Sequence, residues 1–342
     1  MTKRKRQTTG QAIGAIVAGF DQQIFRTTPP AQELVAKGKR LAPIPAEGGG
    51  TLTVAFGDDA DVVGEPGVIA DQLHLDAPGA HAVVDLVRGG RLASLVIDGR
   101  ELLVTEGVDR MSWGAFPMAP FAGRVRDGRF AFRGEHYQLP IELPPHAIHG
   151  TVMDRSWQQL DARSIGTELG PDWPFAGRAI QRFDLGEGRL DCRLELHADE
   201  PMPASMGWHP WFRRRLAASA AVDAADPGSL TAPVELDLDA GSMYVRDAAG
   251  ITTLDRVAPL PEPWDDCFTD LRRPPVLRWP GFLELTIESD CRDWVVYTAP
   301  TEALCVEPQT APPDALNLAP ALVEPGRPLL ATMTWTWRSL AV

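Results

Sequence analysis

The feature that most constrains the fold of this chain is a period of two among its apolar residues. The clearest examples lie at Leu190, Cys192, Leu194 and Leu196 and at Leu283, Leu285 and Ile287. Because successive side chains of a strand point to opposite faces, this alternation predicts strands with one buried face. After residue 50, a helical pattern is suggested only in an Ala-rich stretch at 217–225.

The same alternation predicts further strands along the chain. They are expected around residues 91–97, 130–132, 137–139, 234–238 and 333–337. Turn residues recur between them, since the chain contains 31 Gly and 31 Pro. Many strands joined by turns, without alternation of strands and helices, favour an antiparallel sandwich over an α/β fold. We therefore predict an all-β chain built as a large antiparallel β-sandwich.

The charge of the chain limits its partners. The formal net charge is −13 over 342 residues, whereas nucleic acids and anionic membranes are bound by basic surfaces. No apolar run approaches the roughly 18 residues that span a bilayer. We therefore expect no nucleic acid and no membrane as partner, and a neutral small molecule fits the charge. The oligomeric state is unknown from these patterns.

The cysteines indicate a reducing compartment. Cys192, Cys267, Cys291 and Cys305 are widely spaced, and none forms a CxxC pair. The spacings typical of structural zinc sites, redox motifs and disulfide frameworks are therefore missing. We predict a cytoplasmic protein without a metal site.

The first part of the chain differs in charge from the rest. Residues 1–50 carry a local charge of +5, so the remainder carries −18. Together with the Pro and Gly residues at 45–50, this asymmetry predicts an appended segment. We assign residues 1–65 to a basic, partly disordered extension with short helices at 12–25 and 31–37, and residues 66–342 to the sandwich domain. A solvated extension is favoured over a tail that binds a partner.

Four short segments place chemically active side chains beside Pro and Gly. They are PFAGRVRDG at 120–128, HAIHG at 146–150, GWHPWF at 207–212 and CVEPQTAPPDALN at 305–317. Glu307 follows an apolar run and precedes Pro308, which predicts a poorly solvated carboxylate at a strand end. Since an unpaired buried charge is costly, a carboxylate kept there usually has a chemical task. One carboxylate, two imidazoles and a guanidinium together suit acid/base chemistry on a sugar.

From about residue 75 to the C-terminus, the order and separation of these segments resemble the aldose 1-epimerase (galactose mutarotase) family. The resemblance implies the galactose mutarotase-like supersandwich fold and interconversion of the α and β anomers of free hexoses such as glucose or galactose. That reaction needs a base for the anomeric hydroxyl and an acid for the ring oxygen. It requires no cofactor and no metal.

The resemblance assigns the catalytic pair. Glu307 matches the general base of the family, and His209 in GWHPWF matches its general acid. An imidazole titrates near neutral pH and can switch between donor and acceptor. The alternatives are an ion-paired structural glutamate and a packed core histidine.

The resemblance also assigns residues that bind the sugar. Arg124 matches the family arginine that holds sugar hydroxyls, although Gly123 stands where the family commonly has Asn. A guanidinium suits that role because its donors form a fixed fork. His149 matches a second family histidine, whereas His146 is expected outside the site.

Further contacts are expected from the sequence DDCF at 265–268 and from the segment at 305–317. Asp265 begins the sequence DDCF and matches a family aspartate that accepts hydrogen bonds from hydroxyls, with Asp266 as its rival. Gln309 is expected to orient Glu307. The aromatic residues considered for stacking on the sugar ring are Trp113 and Trp211.

Three other functions remain open at this point. A hexose-6-phosphate 1-epimerase is suggested by Arg213, Arg214 and Arg215, which could clamp a phosphate, with a solvated basic loop as the favoured alternative. A non-catalytic carbohydrate-binding or sensor module would keep the pocket without turnover. A two-carboxylate glycosidase would need a second buried acid near Glu307, and Asp265 is the candidate.

Overall fold

The computed structural model of the chain describes residues 42–46, 50–54, 71–217 and 230–340. The chain divides into two units, Met1–Ile69 and Ala70–Val342. In the first unit, β1 (Ala42–Ala46) and β2 (Gly50–Val54) form an antiparallel hairpin. The predicted helices at 12–25 and 31–37, and most of the predicted extension, lie outside the described residues.

The second unit is built of antiparallel strands. Those before residue 200 are β3 (Gln72–Ala77), β4 (Ala80–Asp85), β5 (Arg91–Ile97), β6 (Arg100–Glu101), β7 (Ala115–Met118), β8 (Arg124–Val125), β9 (Arg129–Phe132), β10 (Glu135–Gln138), β11 (Ala147–Ile148), β12 (Gln158–Gln159), β13 (Ser164–Glu168), β14 (Gly177–Gly186) and β15 (Arg189–Ala198). Those after it are β16 (Met202–Ala204), β17 (Gly207–Arg213), β18 (Glu235–Asp237), β19 (Ala240–Arg246), β20 (Thr252–Val257), β21 (Asp265–Leu271), β22 (Val276–Trp279), β23 (Leu283–Ser289), β24 (Asp293–Tyr297), β25 (Ala303–Gln309), β26 (Ala321–Val323) and β27 (Leu329–Ser339).

Helical structure is sparse in the described part of the chain. It consists of a 3-10 turn at Arg126–Gly128 and one short helix, α1 (Ala315–Leu318). None of the described helices has the length and apolar character needed to cross a membrane.

Two large antiparallel sheets organise the described residues of this unit. The smaller has eight strands in the order β12-β13-β14-β15-β27-β23-β22-β18. The larger has the order β20-β19-β21-β24-β25-β17-β7-β5-β4-β3, with β6 paired to β5. Strand β17 is therefore flanked by β25 and β7 in the interior of the larger sheet, where its backbone pairs on both sides.

The two sheets pack against each other through large side chains. The rings of Phe212 on β17 and Trp335 on β27 have centroids 4.9 Å apart. Trp208 on β17 donates its indole N–H to Oε1 of Gln181 on β14 at 3.2 Å. Both sheets contribute to one buried apolar cluster. Burial of apolar surface contributes about 25 cal/mol per Å² to the free energy of folding. The shared core therefore stabilises β17 in its place between the sheets' other strands.

The prediction of an all-β antiparallel sandwich is confirmed. Strand β15 (Arg189–Ala198) buries its apolar positions and leaves the alternating positions partly or fully exposed. Strand β5 covers the predicted segment at 91–97 and is followed by Asp98, which has a φ of 47°. Most of the Ala-rich stretch at 217–225 lies outside the described residues, which resume at 230.

Candidate active site

A cavity of about 260 Å³ is lined by strands of the larger sheet and by neighbouring loops. All six residues selected from the sequence line it: Arg124, His149, His209, Asp265, Glu307 and Gln309. His146 was expected outside the site, and its Nδ1 accepts a hydrogen bond from the backbone N–H of Asp127 at 3.1 Å instead. The fold thus brings together polar side chains from segments that are far apart in the chain.

Two neighbouring strands place the expected acid and base opposite each other. Gly207 on β17 pairs with Gln309 on β25, and Trp211 pairs with Cys305. His209 and Glu307 lie midway between these two pairs and on the same face of the sheet. Every residue of β25 is buried. Glu307 therefore lies inside a strand, and the expectation that it leaves a strand end is wrong by two residues.

His209 and Glu307 are in direct contact. Nε2 of His209 lies 3.3 Å from Oε1 of Glu307, and the two side chains are only 7% and 2% exposed. The second carboxylate oxygen, Oε2, accepts a hydrogen bond from Nε2 of Gln309 at 3.2 Å. Gln309 thus fixes the orientation of the carboxylate, and the imidazole approaches its free side.

Burial moves the proton affinities of this pair towards the uncharged forms. Burial, followed by the negative charge of Asp265, raises the pKa of Glu307 well above its usual value of 4.5. Burial, together with a smaller contribution from the positive charge of Arg91, lowers the pKa of His209 to about 3. We expected the imidazole of His209 to titrate near neutral pH, and its lowered pKa does not support that expectation. These surroundings favour a carboxyl group on Glu307 and a neutral imidazole on His209.

Aromatic rings hold the imidazole of His209. It stacks on Phe116 with centroids 4.9 Å apart and on Trp211 with centroids 5.3 Å apart and ring planes within 6°. His149 meets it edge to face at 5.0 Å. Among the described residues, Nδ1 of His149 and Nδ1 of His209 have no hydrogen-bond partner. Because buried polar atoms are rarely left unpaired, this capacity suits a polar ligand.

Of the two aromatic candidates for sugar stacking, only Trp211 lines the cavity in the described structure. Trp113 is buried under two guanidinium groups, with Arg88 and Arg91 lying 4.5 Å and 4.1 Å from its ring centroid. Trp113 therefore supports the framework, while one face of Trp211 is occupied by His209.

Asp265 and Arg124 form a charged pair at the cavity wall. Oδ2 of Asp265 lies 3.4 Å from Nη2 of Arg124 and 3.3 Å from Nη1 of Arg246. Its neighbour Asp266 does not line the cavity and pairs with Nε of Arg246 at 3.0 Å. Since successive residues of β21 face opposite sides, Asp265 rather than Asp266 is placed to meet a ligand.

Gly123 stands where the expected sequence pattern has Asn, and the space beside it is filled by Pro313. A Cβ atom on Gly123 would come within 2.7 Å of Cβ of Pro313, and Gly123 has a φ of +66°. Both residues line the cavity. The ring of Pro313 therefore occupies the space that a side chain at 123 would need, and the wall remains intact.

The turn that follows Pro313 holds the arginine segment in place. The backbone N–H of Asp314 donates to the carbonyl of Arg124 at 2.6 Å. Its Oδ1 accepts from the backbone N–H of Arg126 at 2.9 Å and from Nδ2 of Asn317 at 2.8 Å. Asp314 is buried. It thereby acts as a positioning residue for Arg124, and its place in the sequence PPDALN shortly after Glu307 was the available sequence signal for it.

The three consecutive arginines do not form a clamp in the described structure. Arg213 donates through Nε to the carbonyl of Leu103 at 2.6 Å. Arg214 donates to the carbonyls of Pro300 and Thr298 at 2.8 Å and 2.6 Å. Arg215 donates to the carbonyl of Thr231 at 2.8 Å, and none of the three lines the cavity. The expected solvated loop is thus a set of arginines that tie neighbouring segments together.

Sequence reasoning also missed Tyr297 in the cavity wall and Arg91 behind it. Tyr297 lines the cavity and meets the ring of Trp211 at 6.0 Å. Arg91 is 1% exposed and lies 5.2 Å from the ring of Phe116, on which His209 stacks. Burial lowers the pKa of Arg91 to about 10. An arginine that opens an apolar strand after two glycines was the available signal for the second residue.

Comparison with known proteins agrees with this geometry. Residues 71–339 match the family described as aldose 1-epimerase. Over 280 residues the chain is 26% identical to YihR, an uncharacterized protein of Escherichia coli K12, which covers 72% of this chain and 87% of YihR. It is 32% identical over 104 residues to YphB, an uncharacterized protein of the same organism, and that match spans 28% of this chain and only 36% of YphB.

A solved structure shows the same fold. Galactose 1-epimerase from Lactobacillus acidophilus NCFM superposes with a TM-score of 0.62 at 18% identity, covering 78% of this chain and 93% of the other. The family match, which spans nearly the whole second unit, identifies the chain as a member of the aldose 1-epimerase family.

Proposed function

We propose that this protein is an aldose 1-epimerase that interconverts the α and β anomers of free hexoses such as glucose or galactose. The observation that carries the proposal is the buried contact of 3.3 Å between His209 and Glu307 in the wall of the cavity. A volume of about 260 Å³ is close to the lower end of small-molecule sites. It suits a single sugar ring.

The reaction opens and closes a cyclic hemiacetal. Glu307 accepts the proton of the anomeric hydroxyl, the C1–O5 bond breaks, and His209 gives a proton to O5, which yields the open aldehyde. Rotation about C1–C2 lets the ring close on the other face with the same two groups in reversed roles. A positioned acid or base each contributes about 10²- to 10⁴-fold. The chemistry therefore needs no cofactor.

The pair needs to carry one proton throughout this cycle. The sugar reacts with a carboxylate on Glu307 and an imidazolium on His209, and ring opening leaves a carboxyl group and a neutral imidazole. Burial favours the second state, because it raises the pKa of Glu307 and lowers that of His209. The two states differ by one proton moved across the contact between Nε2 and Oε1. The low polarity that disfavours the ionic state also makes it more reactive.

The remaining polar groups suit hydroxyl recognition. Arg124 and Asp265 lie together at the wall, so one offers donors and the other acceptors to vicinal hydroxyls. Nδ1 of His149 has no partner among the described residues. Burial lowers the pKa of His149 well below 6.5, so the ring is neutral and can donate or accept. These groups would fix the sugar without adding a formal charge.

A free sugar is favoured over a phosphorylated one. Arg213, Arg214 and Arg215 donate to backbone carbonyls and are not part of the cavity lining. The basic groups near the cavity, Arg124 and Arg246, are already paired with Asp265. A phosphate dianion would have to displace that carboxylate before it gained a charge-assisted contact.

A sensor module and a glycosidase fit the site less well. A binding module gains nothing from burying a carboxylate against an imidazole, since such burial is costly without a chemical task. A glycosidase needs a second carboxyl group free to act as acid or nucleophile. Asp265 contacts two guanidinium groups instead, so its carboxyl oxygen is engaged as a hydrogen-bond acceptor.

We also propose that the protein works in the cytoplasm as a small-molecule enzyme. Cys192, Cys267, Cys291 and Cys305 are all buried and unbridged. Free cysteines of this kind are typical of reducing compartments.

The experiment that tests the function follows anomer equilibration. The full chain is added to freshly dissolved α-D-glucose, α-D-galactose and α-glucose 6-phosphate, and the rates are followed by polarimetry and by proton NMR against enzyme-free blanks. We expect strong acceleration for at least one free hexose. The lack of acceleration for any sugar would refute the epimerase, and a preference of about a hundredfold for the phosphate would replace the substrate class.

A further inference from the structure

A third potential metal ligand, the thiol of Cys305, lies close to His209 and Glu307. The ligand-type atoms of His209, Cys305 and Glu307 all lie within 4.8 Å of one another, and all three residues are buried. In the described part of the chain, no other three such residues meet this criterion. Cys305 and Glu307 are two residues apart on β25 and therefore share one face of the sheet. His209 lies on the adjacent strand β17. The geometry therefore places sulfur, nitrogen and oxygen donors around one point.

The identity of the donors selects the type of ion. A thiolate, an imidazole and a carboxylate are the ligands of Zn²⁺, with metal–ligand distances of about 2.0 to 2.3 Å. Such distances separate the donors of a tetrahedral site by about 3.3 to 3.7 Å. His209 Nε2 and Glu307 Oε1 are already 3.3 Å apart. Three protein ligands leave the fourth position open to water or a sugar hydroxyl from the cavity.

We propose that Zn²⁺ binds at this site through Cys305, His209 and Glu307 and thereby blocks the active site. A bound ion would occupy the lone pair of His209 and the carboxylate of Glu307, so neither could move a proton. The block of turnover rests on the proposed function, whereas the binding itself does not. Because the donors come from two strands, the spacing of cysteines in the sequence gave no sign of the site.

Binding must displace protons. Burial, followed by the charge of Glu307, raises the pKa of the Cys305 thiol well above 9.0, and the pKa of Glu307 is raised as well. The other charged groups that act on the thiol are Arg214 and Asp265. Because a thiol and a carboxyl group lose their protons when they bind a metal ion, the apparent affinity for Zn²⁺ should increase as pH rises.

The test measures binding and turnover separately on the full chain. Metal-free protein is titrated with Cd²⁺ as a spectroscopic stand-in for Zn²⁺, and the thiolate-to-metal absorption in the ultraviolet is recorded. Zn²⁺ affinity is then obtained by competition. We expect one equivalent of Cd²⁺ per chain, and an affinity at least about a hundredfold weaker in Cys305→Ala. The matched control is Cys192→Ala, another buried cysteine on a strand, which should bind like the parent.

Inhibition is measured by polarimetry with each variant compared with its own metal-free rate. Zn²⁺ should inhibit the parent and Cys192→Ala at the same concentration and Cys305→Ala only at a much higher one. Glu307→Gln should also lose Cd²⁺ binding, which keeps the test valid if Cys305→Ala does not fold. The inference is overturned by an absent thiolate band in the parent, by unchanged binding in both variants, or by acceleration with Zn²⁺. A parent that binds the ion but equilibrates no sugar would refute the proposed function alone.

Discussion

Two contacts between histidine and glutamate differ mainly in where the fold puts them. On β15, Nε2 of His197 lies 2.9 Å from Oε2 of Glu195, and the side chains are 26% and 24% exposed. Between β17 and β25, Nε2 of His209 lies 3.3 Å from Oε1 of Glu307, and the side chains are 7% and 2% exposed. Both contacts join Nε2 of a histidine to a carboxylate oxygen of a glutamate. The surroundings alone distinguish a surface pair from a candidate acid and base.

The difference arises from the strands themselves. Strand β15 alternates buried and exposed positions, so its charged groups meet water on one face of the smaller sheet. Strand β25 is buried throughout, and its two polar side chains share one enclosed face with His209. Electrostatic interactions are stronger and solvation is poorer in such a place. Matched substitutions in the two pairs therefore measure what burial contributes to the chemistry.

The largest effect is expected for Glu307→Gln. This change keeps the shape and removes the base, so the mutarotation rate should fall by about 10²- to 10⁴-fold while the fold remains intact. The control is Glu195→Gln on β15, which should change the rate less than about twofold and stability by at most about 1 kcal/mol. Polarimetry and thermal unfolding provide both readouts. Near-normal turnover of Glu307→Gln would remove the glutamate from its role.

A similar loss is expected for His209→Asn. The substitution removes the proton donor to the ring oxygen and also the stacking on Phe116 and Trp211. We expect kcat to fall by about 10²-fold, and near-ultraviolet circular dichroism should report whether the aromatic packing persists. His197→Asn should leave kcat unchanged. Equal losses in the two histidine variants would show that the comparison does not isolate catalysis.

The pH profile should reveal the single shared proton. The raised pKa of Glu307 means that the pair keeps its proton at mildly acidic pH and loses it as pH rises above that value. A second proton enters only towards the lowered pKa of His209, about 3. We therefore expect kcat/KM to be level in mild acid and to fall about tenfold per unit on the alkaline side. A rate that rises with pH over the same range, after subtraction of the blank, contradicts this assignment.

A smaller effect is expected for Asp265→Asn. Loss of a charged acceptor should raise KM by about tenfold, in line with the ~1.5–3 kcal/mol of a hydrogen bond to a charged group. The negative charge of Asp265 helps to raise the pKa of Glu307, so the alkaline limb should also move to lower pH. Asp266→Asn is the matched neighbour and should leave KM within about twofold of the parent, because Asp266 pairs with Arg246 outside the cavity. An equal rise in KM for both variants would mean that the two aspartates share the ligand.

The smallest effect on turnover is expected for Arg214→Ala. Its guanidinium donates to the carbonyls of Thr298 and Pro300, so the loss should appear as about 1–3 kcal/mol of stability. The ratio of kcat/KM for glucose and glucose 6-phosphate should stay within a few-fold of the parent. A collapse of that ratio with unchanged stability would place Arg214 in a phosphate site.

The alternation of apolar residues determined the fold class because a half-buried strand records its environment locally. Each apolar residue of β15 implies its own buried face, and no distant contact is needed to read it. The four short segments, together with the DDCF sequence at 265–268, determined the six candidate residues through their resemblance to a family. For these features, neighbouring positions in the chain carried enough information.

Tertiary structure alone decided which carboxylates and cations meet. Asp265 and Asp266 are adjacent in sequence, and their side chains leave opposite faces of β21. The position of that strand in the sheet decides that Asp265 lines the cavity and Asp266 does not. The arginines at 213–215 suggest a phosphate site in the sequence, but in the structure their N–H groups donate to backbone carbonyls of other segments. Such contacts depend on the register and packing of strands that are far apart in the chain.

Burial decided the chemistry of the central pair. The sequence specified a histidine and a glutamate, but desolvation depends on every element packed around them, including Arg91 and Phe116 from other strands. The same register placed Cys305 beside them. A sequence can record which groups are present. Their distance, enclosure and proton affinity follow only when strands of the larger sheet and the loops beside them pack around the pair, because these are properties of the whole packed environment.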